Sequence, residues 1–224
     1  MKIKVVKQIL EWNEDCSNEI KELLKSKNVY LINAMGSPGT GKTSVIIELI
    51  KKLKNKYNIA VVEGDIAGQV DAEKIDSLGI SVIQLNTGGA CHIEAMSIKN
   101  ILGYFDLNEI DIIFIENIGN LVCPAEFNVG EDLKIAILSI PEGDDKVEKY
   151  PLLFSIADIV LLSKYDMMQH FDFDDYKVEK NIKRLNSTSD LIRVSSRTGE
   201  GIKSLVDYIE DKVITKVNYH GINN

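Results

Sequence analysis

The chain has 224 residues, with 45% apolar and 27% charged side chains, which is ordinary for a folded protein with one sizeable core. Its formal net charge of −8 argues against sequence-independent binding to nucleic acid, because such binding needs lysine and arginine to neutralise phosphates. The sequence contains no apolar run as long as a membrane span or a signal peptide, and its three cysteines, an odd number, give no disulfide framework. We therefore expect a cytoplasmic protein with no membrane partner, in which any clustered thiols bind metal.

The first predicted element is an amphipathic helix over residues 1–25. Its apolar side chains are spaced three or four residues apart and define one face, which consists of Val5, Ile9, Trp12, Cys16, Ile20 and Leu23. We interpret Cys16 as a buried apolar residue of this face rather than as a metal ligand. The helix is predicted to pack on a single domain of residues 26–215, which a C-terminal tail of residues 216–224 follows.

A glycine-rich loop follows the first predicted strand, the apolar and β-branched run of residues 29–35. The loop matches the phosphate-binding pattern Gly, four residues, Gly-Lys-[Ser/Thr] at every position, and apolar residues at helical spacing come after it. Its glycines allow backbone N–H groups to surround an anion at the N-terminus of that helix. We expect Lys42 to contact the β- and γ-phosphates and Thr43 to ligate Mg²⁺. The predicted nucleotide-binding residues of the loop are Gly36, Ser37, Gly39, Thr40, Gly41, Lys42 and Thr43.

Two carboxylates follow the second predicted strand, residues 59–62. Acidic side chains at the C-terminal end of a strand in an open α/β sheet lie at the ligand edge, so Asp65 and Asp71 are expected beside the phosphates. A carboxylate there either holds Mg²⁺ or positions the attacking water. The alternative for Asp71 is that it merely caps a helix over residues 72–78.

The third and fourth predicted strands, residues 80–85 and 110–115, precede two further candidate loops. The fourth strand ends in Glu116, and Gly119 follows three residues later, which is typical of a loop that senses a γ-phosphate. In this interpretation Glu116 holds or orients Mg²⁺ or the nucleophilic water, and the Gly119 N–H approaches the γ-phosphate. The alternative is an acid that happens to end a strand.

The rest of the chain adds strands and a candidate pocket for the base. Three strands are predicted at residues 134–140, 159–162 and 191–194, and a helix with one apolar face ends the chain. Lys164 and Asp166 suit guanine, because the carboxylate can accept hydrogen bonds from N1–H and N2–H₂ while the lysine stem covers the ring. Ser195 is expected to close over the same base. These patterns predict an α/β fold of the P-loop NTPase type, with a mostly parallel, doubly wound sheet flanked by helices.

A candidate metal site lies in the loops after the third and fourth strands, at Cys91, His92 and Cys123. Residues 87–92 are expected to open a helix. Two thiolates and one imidazole suit Zn²⁺ or Ni²⁺, and three protein ligands leave a position for water or for a ligand from another subunit. The alternative is that these side chains are packed rather than ligated, because adjacent Cys-His is not a standard chelating spacing. Because Cys123 follows Gly119 closely, a loop that moves when the γ-phosphate leaves would move a metal ligand with it.

These motifs resemble those of the hydrogenase nickel-insertion GTPases, the HypB family, which are SIMIBI-class P-loop GTPases related to the urease accessory GTPase. The resemblance covers most of the chain, from residue 29 to residue 213, and its motifs beyond the phosphate loop are the more specific ones. Those motifs are Gly64-Asp65, Asp71-Ala72, Thr87-Gly88, Cys91-His92, residues 115–125, residues 142–146 and Lys149-Tyr150-Pro151.

The resemblance implies a GTPase that dimerises with GTP bound and delivers nickel to the large subunit of [NiFe]-hydrogenase, together with a small zinc-binding, HypA-like partner. It implies that Cys91, His92 and Cys123 bind Ni²⁺ or Zn²⁺ at the dimer interface, and that Lys149 reaches guanine bound to the other subunit. The hypothesis is then a slow, Mg²⁺-dependent conversion of GTP to GDP. The catalytic residues expected for it are Lys42, Asp65, Asp71 and Glu116, and the expected Mg²⁺ ligands are Thr43, Asp65 and Glu116.

Two features depart from the family's pattern. Ser163 stands where the guanine motif usually has Asn, and its shorter side chain is expected to brace the phosphate loop less. The N-terminal cysteine motif and the histidine-rich segment of some relatives do not occur in this sequence, so no nickel-storage role is predicted. Two other classes of function are alternatives. A P-loop small-molecule kinase would need a basic acceptor cluster that is not evident, and the intact phosphate loop argues against a non-enzymatic nickel or zinc buffer.

Overall fold

The strand that precedes the phosphate loop lies at the centre of a seven-stranded sheet in the computed structural model, which describes residues 2–65 and 70–221 and the side chains of residues 9–64 and 70–216. The strands are β1 (Tyr30–Gly36), β2 (Ile59–Asp65), β3 (Ser81–Asn86), β4 (Ile112–Glu116), β5 (Leu133–Ser139), β6 (Ile159–Ser163) and β7 (Asp190–Arg193). Their order is β3-β2-β4-β1-β5-β6-β7, and every pair is parallel. The predicted α/β fold with a doubly wound parallel sheet is therefore confirmed, with strand ends that differ from the predicted ones by one or two residues in most cases.

Helices cover both faces of this sheet. They are α1 (Lys2–Ser26), α2 (Lys42–Leu53), α3 (Val70–Asp76), α4 (Ala95–Leu102), α5 (Cys123–Glu126), α6 (Lys146–Lys149), α7 (Pro151–Ile156), α8 (Asp175–Leu185) and α9 (Ile202–Gly221), with 3₁₀ turns at Ile140–Glu142 and Tyr165–His170. Helix α8 was not predicted from the sequence, although Asp174 caps it by accepting a hydrogen bond of 2.9 Å from the Lys177 N–H. Residues 87–92 were expected to open a helix, but α4 begins at Ala95, so Cys91 and His92 lie in the preceding loop.

The core forms on the two faces of the sheet because successive side chains of a strand point in opposite directions. In β1, Ile32 packs in a cluster with α2, α3 and α9, whereas Leu31 packs in a cluster with α1 and α4. A third cluster joins β5 and β6 to α7 and α8 through residues such as Leu138 and Val160. Every residue of β1 is buried, so the phosphate loop that follows it starts from a rigid position.

The two terminal helices depart from the predicted boundaries and faces. Cys16, Ile20 and Leu24 of α1 are buried against α4 and the sheet, whereas Trp12 is 78% exposed, so the buried face is narrower than the predicted one. Ile9 and Leu23, also on the predicted face, are 47% and 37% exposed, and the side chain of Val5 lies outside the described residues. The helix α9 continues to Gly221, so the predicted start of a tail at residue 216 falls inside it.

Lys216, inside the predicted tail, attaches α9 to the core. Its Nζ donates hydrogen bonds of 2.7 Å to the Val29 carbonyl and to Asp132 Oδ2, which ties the helix to the start of β1.

Within the part of the chain that the structure describes, no helix is long and apolar enough to cross a membrane.

Candidate functional site

The phosphate loop lines a cavity of about 520 Å³ at the carboxyl ends of β1, β2 and β4. Gly39 and Gly41 have φ values of 77° and 94°, in the left-handed region that favours glycine, and Gly41 leads directly into α2. Gly36 needs its missing side chain for a different reason, since a Cβ there would lie 2.6 Å from the Ile137 carbonyl oxygen. The loop therefore has the backbone that an anion cradle at a helix N-terminus requires.

Lys42 is buried at the floor of this cavity. Its Nζ donates hydrogen bonds to the carbonyl oxygens of Gly36 at 3.3 Å and Ser37 at 3.1 Å. Burial lowers the pKa of this ammonium group, and nearby carboxylates, above all Glu116, oppose that shift. Burial removes the water that would otherwise stabilise the charged ammonium group, and a negatively charged phosphate in the cavity would stabilise that charge instead.

Two predicted carboxylates converge on Thr43. The Thr43 hydroxyl lies 2.8 Å from Glu116 Oε1 and 3.2 Å from Asp71 Oδ2, which places three oxygen ligands of the kind that Mg²⁺ prefers beside the phosphate loop. Burial raises the pKa of the Glu116 carboxyl, and its hydrogen bond with Thr43 opposes that shift. The side chain of Asp65, predicted as a third carboxylate here, lies outside the described residues, although its backbone ends β2.

The alternative role for Asp71 as a helix cap is not what the geometry shows. Helix α3 begins at Val70, so Asp71 lies inside its first turn rather than ahead of residue 72. Its carboxylate faces Thr43 on one side and accepts a hydrogen bond of 2.7 Å from Lys74 Nζ on the other.

Glu63 is a cavity residue that the sequence analysis did not select. It lies beside Glu116 in the register of β2 and β4, is 3% exposed and lines the phosphate cavity. The available signal was an acidic residue two positions before the end of β2, but the pairing that brings it next to Glu116 depends on how the sheet is assembled.

The candidate base site is a second cavity of about 260 Å³ that shares Gly41, Ser44 and Lys164 with the first. Asp166 lines it and accepts a hydrogen bond of 2.7 Å from the Ser195 hydroxyl, while Arg197 Nη1 lies 3.8 Å from its other oxygen. Lys164 Nζ donates to the Gly39 carbonyl at 2.7 Å, so its stem runs along the phosphate loop. The structure thus places Lys164 and Asp166 in the wall of this cavity, whereas Ser195 is buried behind Asp166 and the neighbouring wall is formed by Ser196 and Arg197.

Ser163 contacts the phosphate loop directly. Its buried hydroxyl donates a hydrogen bond of 2.6 Å to the Thr40 carbonyl. The shorter side chain, which was expected to brace the loop less, still reaches it because β6 ends close to Thr40. Lys149, in contrast, is exposed, pairs with Asp145 and lines neither cavity of this protomer.

The candidate metal ligands meet at one point. One ligand atom each from Cys91, His92 and Cys123 lie within 4.8 Å of one another, and the Cys91 sulfur is 3.6 Å from His92 Nδ1. The His92 ring stacks on Phe127 with 3.8 Å between ring centroids, which fixes the plane of the imidazole. Cys16, interpreted above as an apolar residue, is buried in the core under α1 and belongs to no such cluster among the described residues.

The pKa shifts of His92 and Cys123 indicate which of these ligands must lose a proton when a metal binds. Burial lowers the pKa of the His92 imidazole, so the ring is neutral and free to ligate at neutral pH. A hydrogen bond with Cys91, together with burial, raises the pKa of the Cys123 thiol. Two thiols and a neutral imidazole with a fixed ring plane make a donor set suited to Zn²⁺ or Ni²⁺.

One residue joins the nucleotide and metal sites. The Asn120 N–H donates to the Gly36 carbonyl at 3.1 Å, and its side-chain Nδ2 donates to the Cys91 carbonyl at 3.3 Å. Its Oδ1 accepts from the Val122 N–H at 2.9 Å, immediately before Cys123. The neighbouring Gly119 packs so closely that a Cβ there would lie 2.8 Å from Pro38 of the phosphate loop. This loop is therefore in contact with both sites.

Comparison with known proteins agrees with this arrangement. The family model of the CobW/HypB/UreG nucleotide-binding domain matches residues 29–193. The chain is 42% identical over 214 residues to the hydrogenase/urease maturation factor HypB of Helicobacter hepaticus, covering 94% of this chain and 88% of the relative. It is 37% identical over 211 residues to a probable hydrogenase maturation factor HypB of Methanocaldococcus jannaschii, covering 94% of this chain and 96% of that relative. A crystal structure of HypB from Helicobacter pylori in complex with nickel superposes on this chain with a TM-score of 0.86 at 36% identity. The superposition covers 91% of this chain and 95% of the chain in that crystal structure.

Proposed function

This chain belongs to the HypB family of CobW/HypB/UreG nucleotide-binding proteins, and from that premise we propose that it is a Mg²⁺-dependent GTPase that times nickel delivery during [NiFe]-hydrogenase maturation. GTP hydrolysis to GDP and phosphate sets the state of the protein, and Cys91, His92 and Cys123 carry the metal. The names of its relatives as hydrogenase maturation factors, and the nickel complex of one of them, support this assignment.

The nucleotide half of the proposal rests on the two adjoining cavities. Lys42 and the amides of the phosphate loop stabilise charge on the β- and γ-phosphates, and Asp166 with Lys164 selects guanine. Thr43, Glu116 and Asp65 would hold Mg²⁺, which would supply positive charge that stabilises the phosphate oxygens. Asp71 lies close enough to Thr43 to orient the attacking water. No arginine occurs among residues 36–43, so we expect slow intrinsic turnover.

The observation that carries the proposal is that one short loop serves both sites. Glu116 and Gly119 line the phosphate cavity, and Cys123 at the end of the same loop belongs to the metal cluster. Loss of the γ-phosphate releases the loop at Gly119, which shifts Cys123 against Cys91 and His92 and so changes metal affinity.

The partners in this proposal follow from the open metal site. Three ligands on one protomer leave room for a ligand from a second copy, so GTP-dependent homodimerisation would complete the site, with Lys149 reaching across to the partner's base. The metal then passes to a small zinc-binding, HypA-like protein and to the hydrogenase large subunit. We further propose that these steps take place in the cytoplasm.

The test compares Lys42→Ala with Lys52→Ala, an exposed lysine of the same helix α2. Because Lys42 lies in the phosphate cavity and outside the metal cluster, we expect its loss to lower the GTP turnover rate at least about 100-fold while nickel stoichiometry stays unchanged. Phosphate release and nickel titration by calorimetry measure the two properties.

Lys52→Ala should match the unsubstituted protein in both measurements. Loss of nickel binding in Lys42→Ala with an unchanged circular dichroism spectrum would show that the two sites are not separable. Absence of GTP turnover in the unsubstituted protein would instead favour the metal buffer, and rapid turnover that depends on a small-molecule acceptor would favour the kinase.

A further inference from the structure

The two thiols of the metal cluster are closer together than a metal ion needs them to be. The Sγ atoms of Cys91 and Cys123 are 2.7 Å apart, although the residues are separated by 32 positions in the sequence. Two sulfurs that each lie about 2.3 Å from a tetrahedral ion are about 3.8 Å apart, whereas bonded sulfurs are separated by about 2.05 Å. The observed separation is nearer to the bonded distance than to the chelating one.

The surroundings of this pair allow both access and movement. Cys91 is exposed and Cys123 is half-buried, so a small reagent in solution can reach the pair. The loop before Cys91 contains Gly88 and Gly89 with φ values of 61° and 100°, and a Cβ at either position would meet nothing within 4 Å. A shift of well under 1 Å, which this unpacked loop can absorb, brings the sulfurs to bonding distance.

We propose that Cys91 and Cys123 form an intramolecular disulfide when no metal is bound, by exchange with a low-molecular-weight disulfide such as oxidised glutathione. The more exposed Cys91 thiolate attacks one sulfur of the reagent and releases one thiol, which leaves a mixed disulfide on Cys91. The Cys123 thiolate then attacks the Cys91 sulfur and releases the second thiol. Two protein thiols are oxidised and one reagent disulfide is reduced to two thiols, so atoms and electrons balance.

This reaction makes the metal site redox-controlled. The proposal rests on the proposed nickel site for its consequence, because a disulfide removes two of the three ligands and leaves His92 alone. Bound Ni²⁺ or Zn²⁺ protects the thiols, since both sulfurs are then ligated. The phosphate cavity contains neither cysteine, so the oxidised protein still binds the nucleotide, although the link holds Cys123 at the end of the loop that lines this cavity.

The experiment treats the full chain with oxidised glutathione under nondenaturing conditions, with and without Ni²⁺, and follows intact mass, free thiols and nickel binding. We expect the metal-free protein to fall from three free thiols to one, to lose the mass of two hydrogen atoms and to yield a peptide that links Cys91 to Cys123. Nickel binding is lost and returns with dithiothreitol, and Ni²⁺ present from the start prevents the reaction.

Two variants make the test specific. Cys91→Ser leaves Cys123 without its partner, so it can only acquire glutathione. Cys16→Ser removes the buried cysteine, and the link between Cys91 and Cys123 forms unchanged. Retention of three thiols, a stable glutathione adduct, a covalent dimer or a link through Cys16 in the unsubstituted protein would each overturn the proposal. If the disulfide forms but the reduced protein binds no nickel, the proposed function fails while this inference stands.

Discussion

Asp166 carries the choice of base in the proposed nucleotide site. Among the described residues that line the smaller cavity it is the one carboxylate, and its two oxygens are approached by Ser195 and Arg197. A carboxylate matched to the N1–H and N2–H₂ donors of guanine leaves adenine without a donor pair, and an unpaired buried acceptor costs about 1–3 kcal/mol. In the proposed site, a preference for GTP over ATP would therefore depend on this one side chain.

Asp166→Asn tests that assignment. The amide keeps one acceptor but presents a donor where the carboxylate accepted, so GTP affinity should fall about 10-fold to 100-fold. Xanthine has a carbonyl oxygen at C2 in place of the guanine amino group, and the new amide can donate a hydrogen bond to that oxygen. The affinity for XTP should therefore rise about 10-fold to 100-fold. Fluorescent nucleotide titration measures both affinities.

Asp172→Asn, at an exposed position in the same region, is the matched control and should bind GTP normally. Unchanged GTP and XTP affinities in Asp166→Asn would remove Asp166 from the base site.

Single residues also show where sequence reasoning succeeds. Lys42 and Thr43 follow from the spacing of the glycine loop alone, because the pattern dictates backbone geometry and the geometry dictates which side chains face the phosphate. Glu63 and the contact of Ser163 with Thr40 do not follow, since each depends on the distance between strands that are remote in sequence. Motif spacing describes local structure, whereas these contacts arise from sheet packing.

At the scale of the element, the loop between β4 and α5 links two kinds of chemistry. It begins at Glu116 beside Thr43, crosses the phosphate loop at Gly119 and ends at Cys123. Asn120 anchors this loop through two hydrogen bonds. Its backbone N–H donates to the Gly36 carbonyl, and its side-chain amide donates to the Cys91 carbonyl. In the proposed function, this side-chain bond is the contact through which a shift of the loop would reach Cys91.

Asn120→Ala should uncouple the two sites. The backbone bond to Gly36 remains, so GTP binding and turnover are retained, but the bond to the Cys91 carbonyl is lost. We expect the ratio of nickel affinities in the GDP and GTP-analogue states to fall to less than about twofold. Nickel titration in each nucleotide state measures that ratio, with Asn100→Ala in α4 as an exposed asparagine control.

A full nucleotide dependence of nickel affinity in Asn120→Ala would show that the signal travels by another route. Loss of that dependence in Asn100→Ala would show that the effect is not specific to the loop.

Elements also divide into those the sequence predicts and those it does not. The seven strands were predicted because each is a short apolar run that ends in glycine or polar residues, as β1 and β4 show. Helix α8 was not predicted although Val178 and Ile182 provide an apolar stripe and Asp174 a cap, because charged residues dominate its sequence. The late start of α4 at Ala95 leaves Cys91 and His92 free of a helix, which is what allows both to turn toward Cys123.

At the scale of the whole molecule, the fold places every proposed site at one edge of the sheet. The carboxyl ends of β1, β2 and β4 supply the phosphate and magnesium residues, and β6 and β7 lead to the base pocket. The metal cluster lies beside them, in the loops that follow β3 and β4. Because the exposed Cys91 and the half-buried Cys123 lie at the surface, a second protomer can reach the cluster without rearrangement of the core.

Titration of the protein with Ni²⁺ and Zn²⁺, once with GDP and once with a non-hydrolysable GTP analogue, decides whether the nucleotide and metal sites are coupled, with mass determined by light scattering. We predict that the GTP analogue raises the mass from that of one chain to that of two and changes metal affinity at least about tenfold, which is a coupling free energy of about 1.4 kcal/mol. If neither the mass nor the metal affinity depends on the nucleotide, the two sites are independent, and the protein is not a switch that times nickel release.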